Sequence, residues 1–449
     1  MRTAAINIRS ISQGKCRFEG EHYLNIDSFL SLSLEKNANK CKKLEDIALV
    51  FNPPVFKRQF CNKTTRSVKY FQSSDVQMAS EDSNVYVYRG QAESLNLLVK
   101  KHDILITGFG TIGNVRLVSK FQDDTCYANN VCRVRVDTDG YYGFVYAFMS
   151  SRYGKAQLNK NASGSVVRYI EAPGIKRTLI PNFTELLQQQ INDLILVSAQ
   201  LRDEAIDALN KAHQIIEDKF RTISEKTFSH VSIQTILSSH NKRFEAFYHT
   251  SENRSIYDYI TTNFKYKTLG ELTSSIFRPG IFKREYVGNG VTFLGGADIL
   301  MAIPDSDKKL SFRQVERMPE LKVKKNWILV TCGGTIGNTV LIDSQLEKCV
   351  ISQHVMRVVP KDNILKGYLY AFLSSEIGHK LITMFSTGSV IPQIEAHHLE
   401  LVPIPLLEKE LMEHIDSLIS SYVSKIEESK EKETKAISMV EQEIEKWNN

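Results

Sequence analysis

The stretch Gly108-Phe-Gly-Thr-Ile-Gly113 has the G-x-G-x-x-G spacing that lets a backbone close on the pyrophosphate of a dinucleotide. That chemistry needs a helix to open at the last glycine, so that its first amides meet the phosphate. Here Asn114-Val-Arg-Leu-Val118 follows, which reads as a second strand. The phrase also recurs as T-C-G-G-T-I-G-N at Thr331–Asn338, where Cys332 replaces the first glycine. The spacing is therefore read as a hairpin turn carrying Gly110, Gly113, Gly334 and Gly337, with Asn114 and Asn338 at positive-φ positions.

A second candidate is Asn52-Pro53-Pro54-Val55, which resembles the N-P-P-[YF] signature of amino-methyltransferases. In that chemistry the Asn and neighbouring backbone grip the exocyclic amine of a flipped base. The aromatic residue is displaced to Phe56, and the second copy reads Phe277-Arg278-Pro279-Gly280, without the Asn. No glycine-rich loop for an adenosyl cofactor precedes the motif. A self-contained adenine methyltransferase stays as the alternative reading of this stretch. Elsewhere the histidines, from His22 and His102 to His230, His240 and His414, are scattered, and His397-His398 have no carboxylate or Cys at ligand spacing. The seven cysteines, Cys16 to Cys349, are odd in number and include no C-x-x-C. Neither a disulfide framework nor a metal site is expected, and no P-loop or paired D/E-x-K pattern points to an ATPase or nuclease core.

Basic residues interleaved with aromatics are more informative. Phe56-Lys57-Arg58-Gln59-Phe60 returns as Phe282-Lys283-Arg284-Glu285-Tyr286, and Lys63, Arg66 and Lys69 follow the first copy. Such side chains neutralise phosphates while polar neighbours read base edges. Lys57, Arg58, Lys63, Arg66, Lys69, Arg278, Lys283 and Arg284 are thus the candidate DNA-binding residues.

These residues sit in a chain written twice. Gly110 and Gly334 are half a chain apart (334 − 110 = 224). Arg17-Phe18-Glu19 returns as Arg243-Phe244-Glu245, and Val68, Tyr70, Asp75 and Met78 return as Val291, Phe293, Asp298 and Met301. Gly143–Phe148 pairs with Gly367–Phe372, and Ser163-Gly-Ser-Val166 with Thr387-Gly-Ser-Val390. Divergence concentrates before Ile104 and Ile328, so specificity is expected in the stretches that do not match. Each half opens with short β-branched runs between Gly, Asn, Asp and Pro, which read as a mixed α/β part with a mostly antiparallel sheet. Each then closes on a long helix. Thr184–Phe220 has no Pro or Gly and a 4-3-4-3 apolar spacing, a coiled-coil seam narrower than the stripe of a helix lying on a core. At 1.5 Å per residue such a helix spans roughly 55 Å.

The expected fold is α+β, with two tandem mixed α/β domains at 1–183 and 223–407. Two long antiparallel coiled-coil helices, at 184–222 and 408–449, separate them about a pseudo-twofold axis. Leu187, Ile191, Leu194, Leu201, Leu411, Ile415, Ile419 and Val423 are expected to form the partner-helix interface. Composition agrees with a globular chain: 449 residues, 42% apolar, 24% charged and a net charge of +6 that permits a nucleic-acid partner without requiring one. Met1–Gly20 is polar and charge-broken, unlike a signal peptide. No apolar run approaches the roughly 20 residues of a membrane span, so a cytoplasmic location is expected.

From about Arg17 to Trp447 the repeat resembles the specificity subunit of Type I restriction–modification systems. The phrases that carry the resemblance are Asp103-Ile-Leu-Ile-Thr…Gly110-Thr-Ile-Gly-Asn with Trp327-Ile-Leu-Val-Thr…Gly334-Thr-Ile-Gly-Asn, and Gly388-Ser-Val-Ile-Pro-Gln-Ile running on to Val402-Pro-Ile-Pro-Leu. The first copy departs from the family's Pro at Arg168. The resemblance implies a non-catalytic prokaryotic subunit whose two domains each read one half of a split, asymmetric duplex-DNA target. It implies further that the long helices space the domains and dock two methyltransferase (modification) subunits, which carry S-adenosylmethionine, and that ATP-dependent restriction subunits can join outside these. No cofactor is expected in this chain. A coiled-coil adaptor that binds protein rather than DNA is the different-class alternative.

Overall fold

The computed structural model describes residues 26–137, 140–164, 168–220, 231–239, 242–244, 246–249, 251–388 and 392–447. Met1–Gly20 with Cys16 and Arg17-Phe18-Glu19, and likewise His22, Ser165, Val166, His230, His240, Glu245, Ser389 and Val390, lie outside them. Contacts group the chain into two units, 1–203 with 428–449, and 204–427. Each unit holds one globular part and one end of each long helix, whereas the sequence reading sets the helices apart as separate segments.

In the first unit, strands Ala48–Phe51, Val131–Val136, Ile104–Thr107 and Val115–Leu117 form one four-stranded antiparallel sheet in that order. In the second, Thr273–Phe277, Val355–Pro360, Ile328–Thr331 and Thr339–Leu341 repeat the order and the direction. The central strand of each is buried on both faces, because alternate side chains point to opposite sides of a pleated strand. Ile104 and Ile106 join the cluster of helix Tyr142–Ser150, while Leu105 joins the cluster of Val68, Tyr70 and Tyr127 on the other face. Ile328 and Val330 divide from Leu329 in the same way. That two-sided burial is why these strands read as continuous β-branched runs.

Beside each main sheet lies a smaller one. It is built from Phe60–Cys61, Tyr86–Tyr88, Ser67–Phe71 and Cys126–Tyr127 in the first unit, and from Lys309–Leu310, Tyr286–Leu294 and Val350–Ile351 in the second. A parallel pairing closes each small sheet, Tyr70↔Cys126 and Phe293↔Val350, so the expectation of mostly antiparallel pairing holds with these exceptions.

One buried arginine knits each pair of sheets together. Arg133 donates to the carbonyls of Ala128 (3.0 Å), Leu97 (3.0 Å), Tyr127 (2.8 Å) and Val131. Arg357 donates to those of Ser352 (2.8 Å), Val355 (2.6 Å), Leu321 (3.3 Å) and Ile351 (2.5 Å). Both are fully buried, and burial lowers each guanidinium to about 10. A charge held by carbonyl oxygens alone is costly, so its geometry has to be well satisfied.

Helices Tyr142–Ser150 and Lys366–Ser374 are buried from Gly143 to Met149 and from Gly367 to Leu373. Their first turns butt against the long helices Glu185–Phe220 and Lys409–Lys446. Asn192 Oδ1 accepts from the Gly143 amide at 2.9 Å, and Asp416 Oδ1 accepts from the Gly367 amide at 2.7 Å. A Cβ at Gly143 or Gly367 would stand 2.8 Å from that same oxygen, which is why the docking point is glycine in both copies. In the first unit the long helices run antiparallel, with Phe183 against Trp447 (5.7 Å) and Ser198 exchanging 2.8 Å hydrogen bonds with Ser429. In the second, Glu204 pairs with Lys425 and Lys219 with Glu408 (3.5 Å), again antiparallel.

The buried face is wider than the narrow seam expected from sequence. Ile195 and Ile216, off that seam, are buried alongside Ile191, Ser198, Ala205, Ala208 and Ala212, because each helix packs on a globular helix as well as on its partner. The partner-interface assignment changes with it. Ile191, Ile415 and Ile419 are buried inside their own units and present nothing outward. Leu187, Leu194, Leu411 and Val423 pack against the same cores, and Leu201 is half-buried.

His213, on the first long helix, meets Ser374 Oγ at 2.8 Å, and burial depresses its imidazole to about 4. The unfolded chain takes up this proton near 6.5, the folded chain only near 4. Stability is therefore complete above 6.5 and falls as pH drops between those values. We expect the second unit to lose about 2 kcal/mol between pH 7 and pH 5 from this group. Denaturant unfolding of wild type and His213→Gln at both pH values checks this. The variant should lose less stability over the interval, and equal losses would remove His213 as the cause.

Candidate nucleic-acid interface

The segment after the first strand of each main sheet leaves the core and turns outward. In the first unit it is rooted by Asn52, whose Oδ1 accepts from the Ala172 amide (2.8 Å) and whose Nδ2 donates to Asn129 O (3.2 Å). Both ends of the amide are thus committed to backbone. This corrects the methyltransferase alternative, because an Asn tied in this way is not available to hold a base amine. At the same place in the second unit Arg278 pairs with Glu395 at 2.6 Å.

From that root the chain passes through Pro53 or Pro279, then an exposed tip at Val55 or Ile281, then an inward Phe56 or Phe282 packed on the small sheet. The basic pair follows. In each unit one glutamine side chain holds the backbone on either side of it. Gln91 Nε2 donates to Lys57 O (2.9 Å) and Gln91 Oε1 accepts from the Gln59 amide (3.4 Å). Gln314 Nε2 donates to Lys283 O (2.7 Å) and Gln314 Oε1 accepts from the Glu285 amide (3.0 Å). The arginine of each pair lies over a ring, Arg58 over Tyr70 at 5.7 Å and Arg284 over Phe293 at 5.5 Å. Phe60 and Tyr286 meet those rings edge-on at 5.8 and 6.2 Å. Burial raises the Tyr70 phenol, which keeps it neutral, and the Arg58 charge acts against that rise. A guanidinium held over a ring is pre-aimed without being neutralised.

Lys57, Arg58, Lys63, Arg66, Lys283 and Arg284 are exposed, as a phosphate contact requires. Lys69 and Arg278 stand differently, because their charges are answered by Asp82 (2.7 Å) and Glu395. The glutamine clamp was missed in the sequence. Its signal is there: Gln91-Ala-Glu93 and Gln314-Val-Glu316 recur at the repeat spacing.

The hairpins Thr107–Asn114 and Thr331–Asn338 are identical frames. The Gly113 and Gly337 amides donate to Thr107 O and Thr331 O (3.1 and 2.9 Å), and the Asn114 and Asn338 amides to Thr107 Oγ1 and Thr331 Oγ1 (both 3.0 Å). Positive φ falls on Gly110, Gly113, Gly334 and Gly337 and not on Asn114 or Asn338, which corrects the expectation. Each asparagine instead supplies the amide that closes the turn. Against this shared frame hang unlike side chains. Phe109 stacks on Tyr169 (5.4 Å) across a bridge where the second unit has Gly333 and Gln393. The hairpin adjoins the basic segment's root, since the Gly108 amide donates to Asn130 O and Gly108 O accepts from the Ile170 amide. In the second unit Arg284 itself reaches Gln353 Oε1 of the corresponding turn at 3.3 Å.

Among the described residues no helix is long and apolar enough to cross a membrane.

Residues 242–439 match the family model described as Type I restriction modification DNA specificity domain. The Type I restriction enzyme MjaIX specificity subunit of Methanocaldococcus jannaschii is 23% identical over 184 residues, 40% of this chain and 41% of that protein. The chain thus spans about two fifths of the length of the curated relative it matches. Two solved structures are also similar. One is the S subunit of a Type I restriction-modification system from M. genitalium, with 14% identity, a TM-score of 0.36, and coverage of 91% of this chain and 95% of that one. The other is the HsdS subunit from Thermoanaerobacter tengcongensis, with 14% identity, a TM-score of 0.28 and the same coverages.

Proposed function

We propose that this chain, whose residues 242–439 match the Type I restriction modification DNA specificity domain, reads a split, asymmetric duplex target, one half-site per unit. The observation that carries this reading is the clamped basic segment, present at the same place in both units. Four elements recur together: an exposed Lys-Arg pair, a glutamine fixing the backbone around it, an aromatic ring under the arginine, and an exposed tip before it. Phosphate contacts of this kind set register without carrying sequence information, so discrimination falls to neighbours that differ between units. Phe109 with Tyr169, against Gly333 with Gln393, is one such difference.

The chain itself is non-catalytic in this reading. Methyl transfer belongs to two modification subunits that bind S-adenosylmethionine, and ATP-dependent cleavage belongs to restriction subunits where these join. The modification subunits dock on the long helices. The surface that remains for docking is the shoulder of the seam, where Leu194 alone of the expected interface residues takes part. In the first unit Leu194, Val197 and Met439 line a groove edged by Gln190, Asp193, Lys432 and Lys435. An apolar stripe with charged borders suits an amphipathic helix. Val197→Glu is expected to leave the chain folded, since Val197 is exposed, and to weaken association with a modification subunit at least tenfold by analytical ultracentrifugation or titration calorimetry. Unchanged association would move the docking site elsewhere.

The test of the reading is selection from random-sequence duplex DNA. A split motif with unlike halves is expected. Enrichment of no sequence, together with duplex binding insensitive to salt, would favour a protein-binding adaptor instead.

A further inference from the structure

Among the described residues no large apolar side chains are as exposed as Ile281, at 94%, and Val55, at 88%. These two occupy the same place in the repeat, two residues before the Lys-Arg pair. Isolated exposed aliphatics are ordinary on a protein surface. For the two most exposed to be repeat equivalents is not. The backbone on either side of each is also held. Pro53 and Pro279 are buried at the root, Phe56 and Phe282 pack inward immediately after, and the glutamine clamps fix the basic pairs that follow. An apolar group displayed on a fixed backbone next to phosphate-binding side chains is placed to touch a base.

We propose that Val55 and Ile281 each contact the C5-methyl group of a thymine in the major groove, one in each half-site, and so contribute directly to sequence discrimination. This rests on the DNA-reading function above. The choice of the methyl group follows from reach. Val55 precedes Lys57 by about 7 Å of extended chain, so with the lysine at a phosphate the tip stays near the edge of the groove. A valine carries its methyl groups close to its own backbone and holds them in few rotamers, which suits a surface contact. Valine is too short for the wedge between base steps, which longer apolar side chains make, and Ile281 shares its branched Cβ and its place in the repeat. In the major groove the thymine methyl is the apolar feature that the other bases lack.

The experiment uses the full chain in complex with its modification subunits and the duplex enriched by selection. Each thymine is replaced in turn by deoxyuridine, which removes the methyl and keeps the pairing. Affinity is measured for wild type, Val55→Ala and Ile281→Ala. Wild type should lose about three- to fivefold at one thymine in each half-site, the effect of one buried methyl group. Val55→Ala should abolish the loss in one half-site only, and Ile281→Ala in the other. Because both positions are exposed, each variant should keep the wild-type unfolding curve, and a shifted curve would reveal misfolding. Half-sites without thymine would overturn the proposal, as would deoxyuridine effects that persist in both alanine variants. Alanine effects without any deoxyuridine effect would overturn it in favour of a wedge or a protein contact. Failure of the complex to enrich any split motif would sink the DNA-reading function itself, and the proposal with it.

Discussion

Replacing Lys283 and Arg284 together by Ala is expected to weaken duplex binding by about tenfold to a hundredfold, on cognate and unrelated sequences alike. The salt dependence should flatten by about two, one for each phosphate contact removed. The direction follows from the setting of the pair. Both residues are exposed, no carboxylate among the described residues pairs with either, and Gln314 holds their backbone while Phe293 lies under the arginine. Affinity and salt slope measured by fluorescence anisotropy on two duplexes, one cognate and one scrambled, check it. If the loss is confined to the cognate duplex, the pair reads bases. If neither quantity moves, the basic pair is a solvated surface. Lys57→Ala with Arg58→Ala should behave alike in the first unit. By contrast Lys69 and Arg278, already paired with Asp82 and Glu395, should matter little to the salt slope.

Arg357→Met is expected to destabilise the second unit by about 3 kcal/mol, and the two opposing effects decide the sign. Removing a buried charge relieves the desolvation that lowers its guanidinium to about 10. Where both members of a buried ion pair are exchanged for apolar groups, that relief often wins. Here the acceptors are the carbonyls of Leu321, Ile351, Ser352 and Val355, which no substitution removes. They would be left buried with an acceptor position unfilled, at a cost of about 1–3 kcal/mol each before relaxation. The loss of four outweighs the relief. The damage should also reach function, because the turn carrying Gln353, which meets Arg284, hangs from these bonds. Denaturant unfolding gives the first quantity, and anisotropy on a duplex carrying both half-sites gives the second. A variant as stable as wild type would mean that the carbonyls find other donors.

The doubling of the chain was legible because it lives in local phrases. T-x-x-G-T-I-G-N and the G-[FY]-[VL]-Y-A-F helix survive comparison of one half with the other, and they mark the turns and the buried helix around which each unit is built. Strand positions were legible for a related reason, since two-sided burial leaves uninterrupted β-branched runs. What was not legible depends on contacts between segments far apart in sequence. The glutamine clamps join residues 34 and 31 apart, and nothing at Gln91 or Gln314 announces that its amide will hold Lys57 O or Lys283 O. The neutralisation of Arg278 by Glu395 lies 117 residues away. The seam was drawn too narrow because the sequence shows one periodicity per helix and cannot show that a second surface, at Asn192 and Ile195, meets a globular helix. The exchange of Asn114 and Asn338 for glycines at positive φ has a simpler cause. Asn tolerates that region, but with two glycines in the same turn the backbone places the bend there, and the asparagine amide is used as a donor.

The most direct test of the central claim is methylome sequencing of the source cells with and without the gene for this chain. One split methylation motif, with unlike halves, is expected to disappear from the whole genome when the gene is removed and to return on complementation. A methylome in which every motif survives the deletion, in cells whose modification subunits are expressed, would contradict it.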